Sequence, residues 1–260
     1  MEEIVLCPYN PKWKIYFERE KELLGKLLDG EYKSIIHIGS TSIEGMTAKP
    51  IVDISIALHK LENVAFYEEK LSSIGYIYRN GSQFEEWILF NKDHPEQQYH
   101  LHFMAYDNRR LLKQILFKIY LEEDFEVADL YVRKKKAFLR FDEHMWYSMN
   151  KLPFVEEVSA LALIDAIRKP YFWRERVKNI MGYIPYAELF DMNSELSKAQ
   201  YIRNLFTHNE DGKNYYKEFI DTVEYMEMID RILKVMTIEK TSEVTGLTKE
   251  ELENRLAYRS

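Results

Sequence analysis

Residues 51–58 alternate so strictly that they specify a two-faced β-strand. Val52, Ile54, Ile56 and Leu58 share one side, while Asp53, Ser55 and Ala57 share the other, because successive strand side chains point to opposite faces. A strand of this kind needs a sheet whose apolar face is covered. Shorter β-rich runs fall at 34–38, 76–79, 86–90 and 99–105, with Asn80-Gly81 and Asp93-His94-Pro95 between them as turns. Helical periodicity fills the gaps. Asn10-Pro11 reads as an N-cap followed by Pro at the first helical position, and Trp13, Phe17, Leu23, Leu24 and Leu27 recur before a stop at Gly30. Residues 61–74 read as a second helix ended by Gly75, and 108–140 as a helical stretch broken near Asp124. A further helix carries Phe154, Val155, Val158, Leu161 and Leu163 and stops at Lys169-Pro170. Beyond it no strand pattern occurs, and 171–260 read as several helices with a turn at 208–212. The expectation is an α+β fold, a mixed β-sheet flanked by helices over 1–168, followed by an all-helical region over 169–260.

Composition narrows the function classes. With 46% apolar residues in 260, the chain can bury a sizeable core. A net charge of -7, with neither part of the chain net basic, disfavours a protein that grips a long nucleic acid. The single cysteine, Cys7, precludes an intrachain disulfide and a multi-cysteine zinc site. No run reaches the ~20 apolar residues of a membrane span, and the opening residues lack the pattern of a secretory signal. The expected setting is a reducing, cytoplasmic compartment, away from membranes.

The chemistry-bearing stretch is His37-Ile38-Gly39-Ser40-Thr41-Ser42 through Lys49-Pro50-Ile51-Val52-Asp53. A strand ending in Gly39-Ser40 lets the backbone turn sharply, and the hydroxyls of Ser40, Thr41 and Ser42 with local N–H groups suit a phosphate cradle. Lys49 lies in the same loop. Asp53 sits on the polar face of the next strand, where a carboxylate can hold a divalent metal. In Tyr99-His100-Leu101-His102-Phe103 the two histidines share a face, and they suit metal or phosphate binding or acid–base work. The competing reading is the solvated face of a half-buried strand. The spacing is neither a P-loop nor a dinucleotide fingerprint.

These residues resemble the signature of the GrpB family, H-x-G-S-T-[AS]-x-x-G-x-x-A-K-P-x-x-D-[IV]. Tyr9-Asn10-Pro11-Lys12-Trp13 resembles the family's opening, His100-Leu101-His102 its H-[LV]-H strand, and residues 131–135 its Y-x-x-x-K helix. Residues 117–121 fit its F-R-D-Y-L segment with Lys118 and Ile119 in place of Arg and Asp. The resemblance covers 1–168 and implies a fold similar to the nucleotidyltransferase superfamily. It implies a Gly39-Ser40 phosphate turn, a metal carboxylate at Asp53, and a phosphate contact at Lys135. That superfamily places a second carboxylate two residues on, where this chain has Ser55. One Asp and two His are a poor pair of Mg²⁺ sites; a single Mg²⁺ or Mn²⁺, a softer Zn²⁺, or no metal fits them better.

Three functional expectations follow. The first is transfer of a nucleotidyl or phosphoryl group from a nucleoside triphosphate to an unidentified acceptor. Asp53, His100 and His102 would be catalytic or metal-binding, and Gly39, Ser40, Thr41, Ser42, Lys49 and Lys135 would hold the nucleotide. The second is a non-catalytic module that binds a nucleotide or CoA-like metabolite over a degenerate metal site. The third is a protein partner recognised by the C-terminal helices. There, 237–256 reads as helix, Gly246 turn, helix, with Thr248 and Glu251 forming a capping box. Acidic Glu250, Glu251 and Glu253 argue against DNA reading by this pair.

Overall fold

The structure, a computed structural model, describes residues 4–81, 87–139, 144–187, 229–230, 233 and 237–257. The chain forms two compact units, Met1–Ser159 with Arg176–Pro185, and Ala160–Glu175 with Tyr186–Ser260. The first opens with α1 (Lys12–Leu27), β1 (Tyr32–Ile38), a 3₁₀ turn (Ser40–Ser42), β2 (Ile51–Leu58) and α2 (Val64–Ser72). There follow β3 (Ile77–Gly81), β4 (Trp87–His94), β5 (Gln97–Ala105), α3 (Arg109–Glu123) and α4 (Phe125–Phe138). Then come α5 (His144–Arg168) and α6 (Pro170–Met181), each divided between the two units, and in the second unit, among the described residues, α7 (Ile238–Thr245) and α8 (Lys249–Ala257).

The strands form one sheet in the order β1-β2-β5-β4-β3. The central pair β2/β5 is parallel and the other pairs are antiparallel. The fold is therefore α+β with a mixed sheet, as the alternation of patterns implies. Local chemistry sets the element ends. Asn10 Oδ1 accepts the Lys12 N–H at 3.1 Å, opening α1. Asn63 accepts from Phe66 N and starts α2 three residues later than periodicity suggests. Asp124 both stops α3 and caps α4, its side chain accepting from Val127 N at 3.0 Å.

The turns between β3, β4 and β5 need correction. Asn80 and Gly81 stay paired with Leu89 and Ile88 rather than forming the turn. β4 continues to His94, which pairs with Gln97, so the tight turn is Pro95-Glu96. The polar segment 91–94 has no apolar alternation to reveal it; the neighbouring ladder holds it as strand.

One sheet face packs on α1 and α2. Val52, Ile54, Ile56, Leu101, Phe103 and Phe90 meet Trp13, Phe17, Leu24, Tyr67 and Leu71 in one buried cluster. Burying such side chains contributes roughly 1.5–3 kcal/mol each. α3 lies over the opposite face: Ser55 Oγ donates to Gln114 Oε1 at 2.7 Å, and the Arg110 guanidinium sits 4.4 Å from the Trp87 ring centre. The polar side of β2 and β5 is thus not a solvated face, and Ser55 is fully buried. A second cluster joins Ile43 and Met46 of the loop to Leu121, Tyr131, Phe154 and Val158. In it the Tyr131 and Phe154 rings stack at 5.3 Å.

In the second unit Gly246 ends α7 with φ 74°. Thr248 and Glu251 exchange both capping-box bonds, at 2.7 and 3.1 Å, as expected. The expected turn at 208–212 lies outside the described residues. Among the described residues no helix is long and apolar enough to cross a membrane.

Asp124→Ala removes the cap shared by the α3–α4 junction. Chemical denaturation should show a loss of about 1 kcal/mol; an unchanged midpoint would contradict the capping role.

Candidate functional site

Strand register assembles the site. Asp53 pairs with Ile38 on one side and His100 on the other, and Ser55 pairs with Ile36 and His102. Opposed residues in adjacent strands share a face, so Asp53, Ser55, His100 and His102 stand together at the margin of the α3-covered side. Asp53 Oδ1 receives both imidazoles, His100 Nδ1 at 3.3 Å and His102 Nε2 at 3.5 Å. The side chains of Asp53, His100 and His102 are 28%, 31% and 14% exposed, so the pocket deepens toward His102. Burial raises the Asp53 carboxyl, but the hydrogen bonds and charge of the two histidines outweigh it and hold the group well below the usual carboxylate range. Burial lowers His102 despite Asp53. An ionised carboxylate only accepts, so both facing imidazole nitrogens carry protons.

Gly39 is dictated by this carboxylate. Its φ is +68°, and a Cβ there would lie 2.6 Å from Asp53 Oδ2. The 3₁₀ turn that follows is braced from inside. Thr41 Oγ1 donates to Ile51 O at 3.0 Å and accepts from His37 Nε2 at 3.0 Å. His37 stacks on Phe17 and is pushed down to about 4, first by burial and then by Lys118, so it is neutral. Ser42 Oγ donates to Gly39 O at 2.7 Å, while Lys118 Nζ donates to Ser42 O at 2.7 Å. The Thr41 hydroxyl is therefore bonded to Ile51 O and to His37, while Ser42 Oγ also accepts from Lys118 Nζ at 3.1 Å and Ser40 Oγ meets Lys135.

Lys135 Nζ donates to Ser40 Oγ at 3.0 Å and to Thr47 O. The side chain is 2% exposed, and burial and then Lys151 push it down to about 7. Lys49 Nζ lies 4.1 Å from the Tyr147 ring centre and is pushed down to about 8 by burial and Lys151, against the pull of Asp53. Lys151 Nζ sits 4.8 Å from the same ring and is lowered by burial, opposed by Asp53. Lys49 of the loop and Lys151 of α5 thus feel the Asp53 carboxylate, and Lys151 disfavours the charge of both Lys49 and Lys135.

The structure brings together Gly39, Ser40, Lys49, Asp53, His100, His102 and Lys135, each expected from sequence. Lys151 and Tyr147 were not expected. Their signal is spacing: Tyr147, Lys151, Phe154 and Val158 form an i, i+4, i+7, i+11 stripe on α5. Pro153 masks it, because a proline suggests a helix start rather than a helix interior. Gln114 and Lys118 of α3 were also not expected to bond Ser55 and the 3₁₀ turn.

As arranged, Asp53, His100 and His102 form a hydrogen-bonded cluster rather than a coordination sphere. Both imidazoles spend their facing N–H on one oxygen, and the Ser55 hydroxyl is committed to Gln114. Among the described residues no group of three His, Cys, Asp or Glu is disposed to hold a metal ion. A groove of about 1060 Å³ along α1, lined by residues such as Lys14, Glu18 and Tyr32, shares no residue with the site.

A family model described as "GrpB protein" matches residues 3–160. The chain is 34% identical over 134 residues to the UPF0157 protein YqkA of Bacillus subtilis, covering 52% of this chain but only 38% of that protein. It is 31% identical over 164 residues to the glutamate-rich protein GrpB of Alkalihalophilus pseudofirmus, covering 60% of this chain and 94% of that one. The crystal structure of the conserved protein GrpB from Enterococcus faecalis superposes with a TM-score of 0.56 at 28% identity, over 61% of this chain and 96% of that one.

Gly39→Ala should cost about 2–4 kcal/mol in chemical denaturation, from the positive φ and the collision with Asp53. In an Asp53→Gly background the cost should shrink to about 1 kcal/mol. Additive losses in this double-mutant cycle would contradict the close approach.

Proposed function

The chain belongs to the GrpB family, and on that premise we propose that the pocket around Asp53 binds a small phosphorylated ligand and transfers a nucleotidyl or phosphoryl group from it. The observation that carries this reading is the group of three lysines in which Lys135 is bonded to Ser40 of the turn, Lys49 and Lys151 share the Tyr147 ring, and Lys151 disfavours the charge of the other two. A bound anion would relieve that repulsion. A nucleoside triphosphate is the expected donor. Ser40 and the lysines would hold its phosphates. Asp53, backed by His100 and His102, would accept a hydrogen bond from the acceptor's hydroxyl and orient it toward phosphorus. The low basicity of Asp53 suits orientation better than full proton removal. Of the two imidazoles, His100 is the better-placed group to take a proton: its Nδ1 faces Asp53 and its ring is the more exposed, whereas the remaining nitrogen of His102, Nδ1, is buried.

A second reading has its own support. Ser55 stands where a second carboxylate would be, and its hydroxyl is tied to Gln114. A non-catalytic module for a nucleotide or CoA-like metabolite would need only the lysines and the turn. The free thiol of Cys7 suits a cytoplasmic setting for either reading.

Thermal shift with ATP, CTP, GTP, UTP and CoA, each with and without Mg²⁺ or Mn²⁺, separates these outcomes. A ligand at a hundred times its Kd adds about 2.7 kcal/mol, or roughly 5–10 °C for a domain of 150–250 residues. Turnover that Asp53→Asn abolishes while binding survives supports transfer. Binding without turnover supports the module. No shift with any ligand would overturn both.

Affinity should also depend on pH. Lys135 faces Ser40, Thr47, Tyr131 and Lys151, and Lys49 faces Tyr147, Lys151 and Asp53. An anion raises the affinity of both lysines for protons, so protons are taken up on binding and affinity falls as pH rises from 7 to 9. The limit is about tenfold per pH unit for each titrating lysine. Calorimetry of ATP in buffers of different ionisation enthalpy should show proton uptake, and a flat profile would contradict it.

A further inference from the structure

Two features of the pocket bear on how phosphate is held, given the phosphate-binding reading above. The first concerns the groups that would hold a divalent ion. His100 Nδ1 and His102 Nε2 both point at Asp53 Oδ1, and the buried Ser55 hydroxyl points at Gln114. An ion bound through these two imidazole nitrogens would require them to release their protons and their bonds to Asp53 Oδ1, which leaves Oδ2 as a single carboxylate ligand. The second feature is the cations. Lys49 comes from the loop, Lys135 from α4 and Lys151 from α5, three separate elements. Lys135 is fixed on Ser40 and Thr47, while Lys49 and Lys151 share the Tyr147 ring. Among the described residues neither Lys135 nor Lys151 has a carboxylate at ion-pair distance.

Helical and loop packing hold these cations in place. Ile43 and Met46 fasten the loop into the cluster formed with Tyr131 and Phe154, next to Lys135 and Lys151 in sequence. With neither Lys135 nor Lys151 at ion-pair distance from a carboxylate among the described residues, the positive charge they bring suits a multiply charged anion. We propose that Lys49, Lys135 and Lys151 bind the ligand's phosphates directly, with no divalent ion between protein and phosphate. The ligand class is a phosphorylated small molecule carrying at least two negative charges, such as a diphosphate.

The test is isothermal titration of the full chain with inorganic pyrophosphate, once in EDTA and once with Mg²⁺. Binding in EDTA should match that with Mg²⁺ to within about threefold. Lys135→Met and Lys151→Met should each weaken it by about tenfold, the scale of one charge-assisted phosphate contact of 1.4 kcal/mol or more. Lys151→Arg, which keeps the charge, should retain most of it. If the Lys→Met variants do not fold, the wild-type titration in EDTA still decides. Binding that appears only with Mg²⁺ or Mn²⁺ would overturn this inference while leaving phosphate binding itself intact. So would affinity unchanged in both folded Lys→Met variants. No binding of pyrophosphate or ATP under any condition would overturn the phosphate-binding reading as well.

Discussion

A carboxylate on a half-buried strand must be satisfied by its neighbours, and Asp53 sets the terms for everything around it. The parallel pairing of β2 and β5 places His100 and His102 where both can donate to one of its oxygens. The other oxygen lies so near the backbone of residue 39 that only glycine fits. The turn that glycine begins is then braced by Thr41 on Ile51, by Ser42 on Gly39, and by the buried neutral His37. Burying an ion costs several kcal/mol unless it is hydrogen-bonded, so each of these contacts has a physical reason that precedes any function.

Function enters where that economy is broken. Lys49 and Lys151 feel the carboxylate, Lys135 sits on the adjoining turn, and burial makes the positive forms of all three unfavourable. By contrast, the largely buried Lys92 and Lys113 each meet a buried glutamate, Glu20 and Glu156. That contrast supports the proposal that the pocket receives an anion.

Much of this was legible in the residues. The alternation of 51–58 gave the two-faced strand at its observed bounds, and the polar cap at Asp124 gave the α3–α4 break. Period two put Asp53 with Ser55 and His100 with His102 on one face of each strand, and the resemblance to the GrpB family joined those strands and the Gly39-Ser40 turn in one site. What could not be read was contact made across long separations. Ser55 with Gln114 spans 59 positions, and Lys135 with Ser40 spans 95. The burial of the histidine face depends on α3 covering it, which alternation cannot reveal. Lys151 was hidden because Pro153 interrupts the helical pattern that carries it, while the covering helix continues through.

The central claim is that the lysines of this pocket hold a suppressed charge that a phosphorylated ligand restores. NMR titration of lysine ¹³Cε signals, with Lys135 assigned by its Lys135→Arg variant, measures this directly. The account predicts a Lys135 midpoint near 7 in the free protein that rises clearly when the pocket is saturated with ATP. A midpoint near the ordinary lysine value of about 10.4, unmoved by ATP, would contradict it.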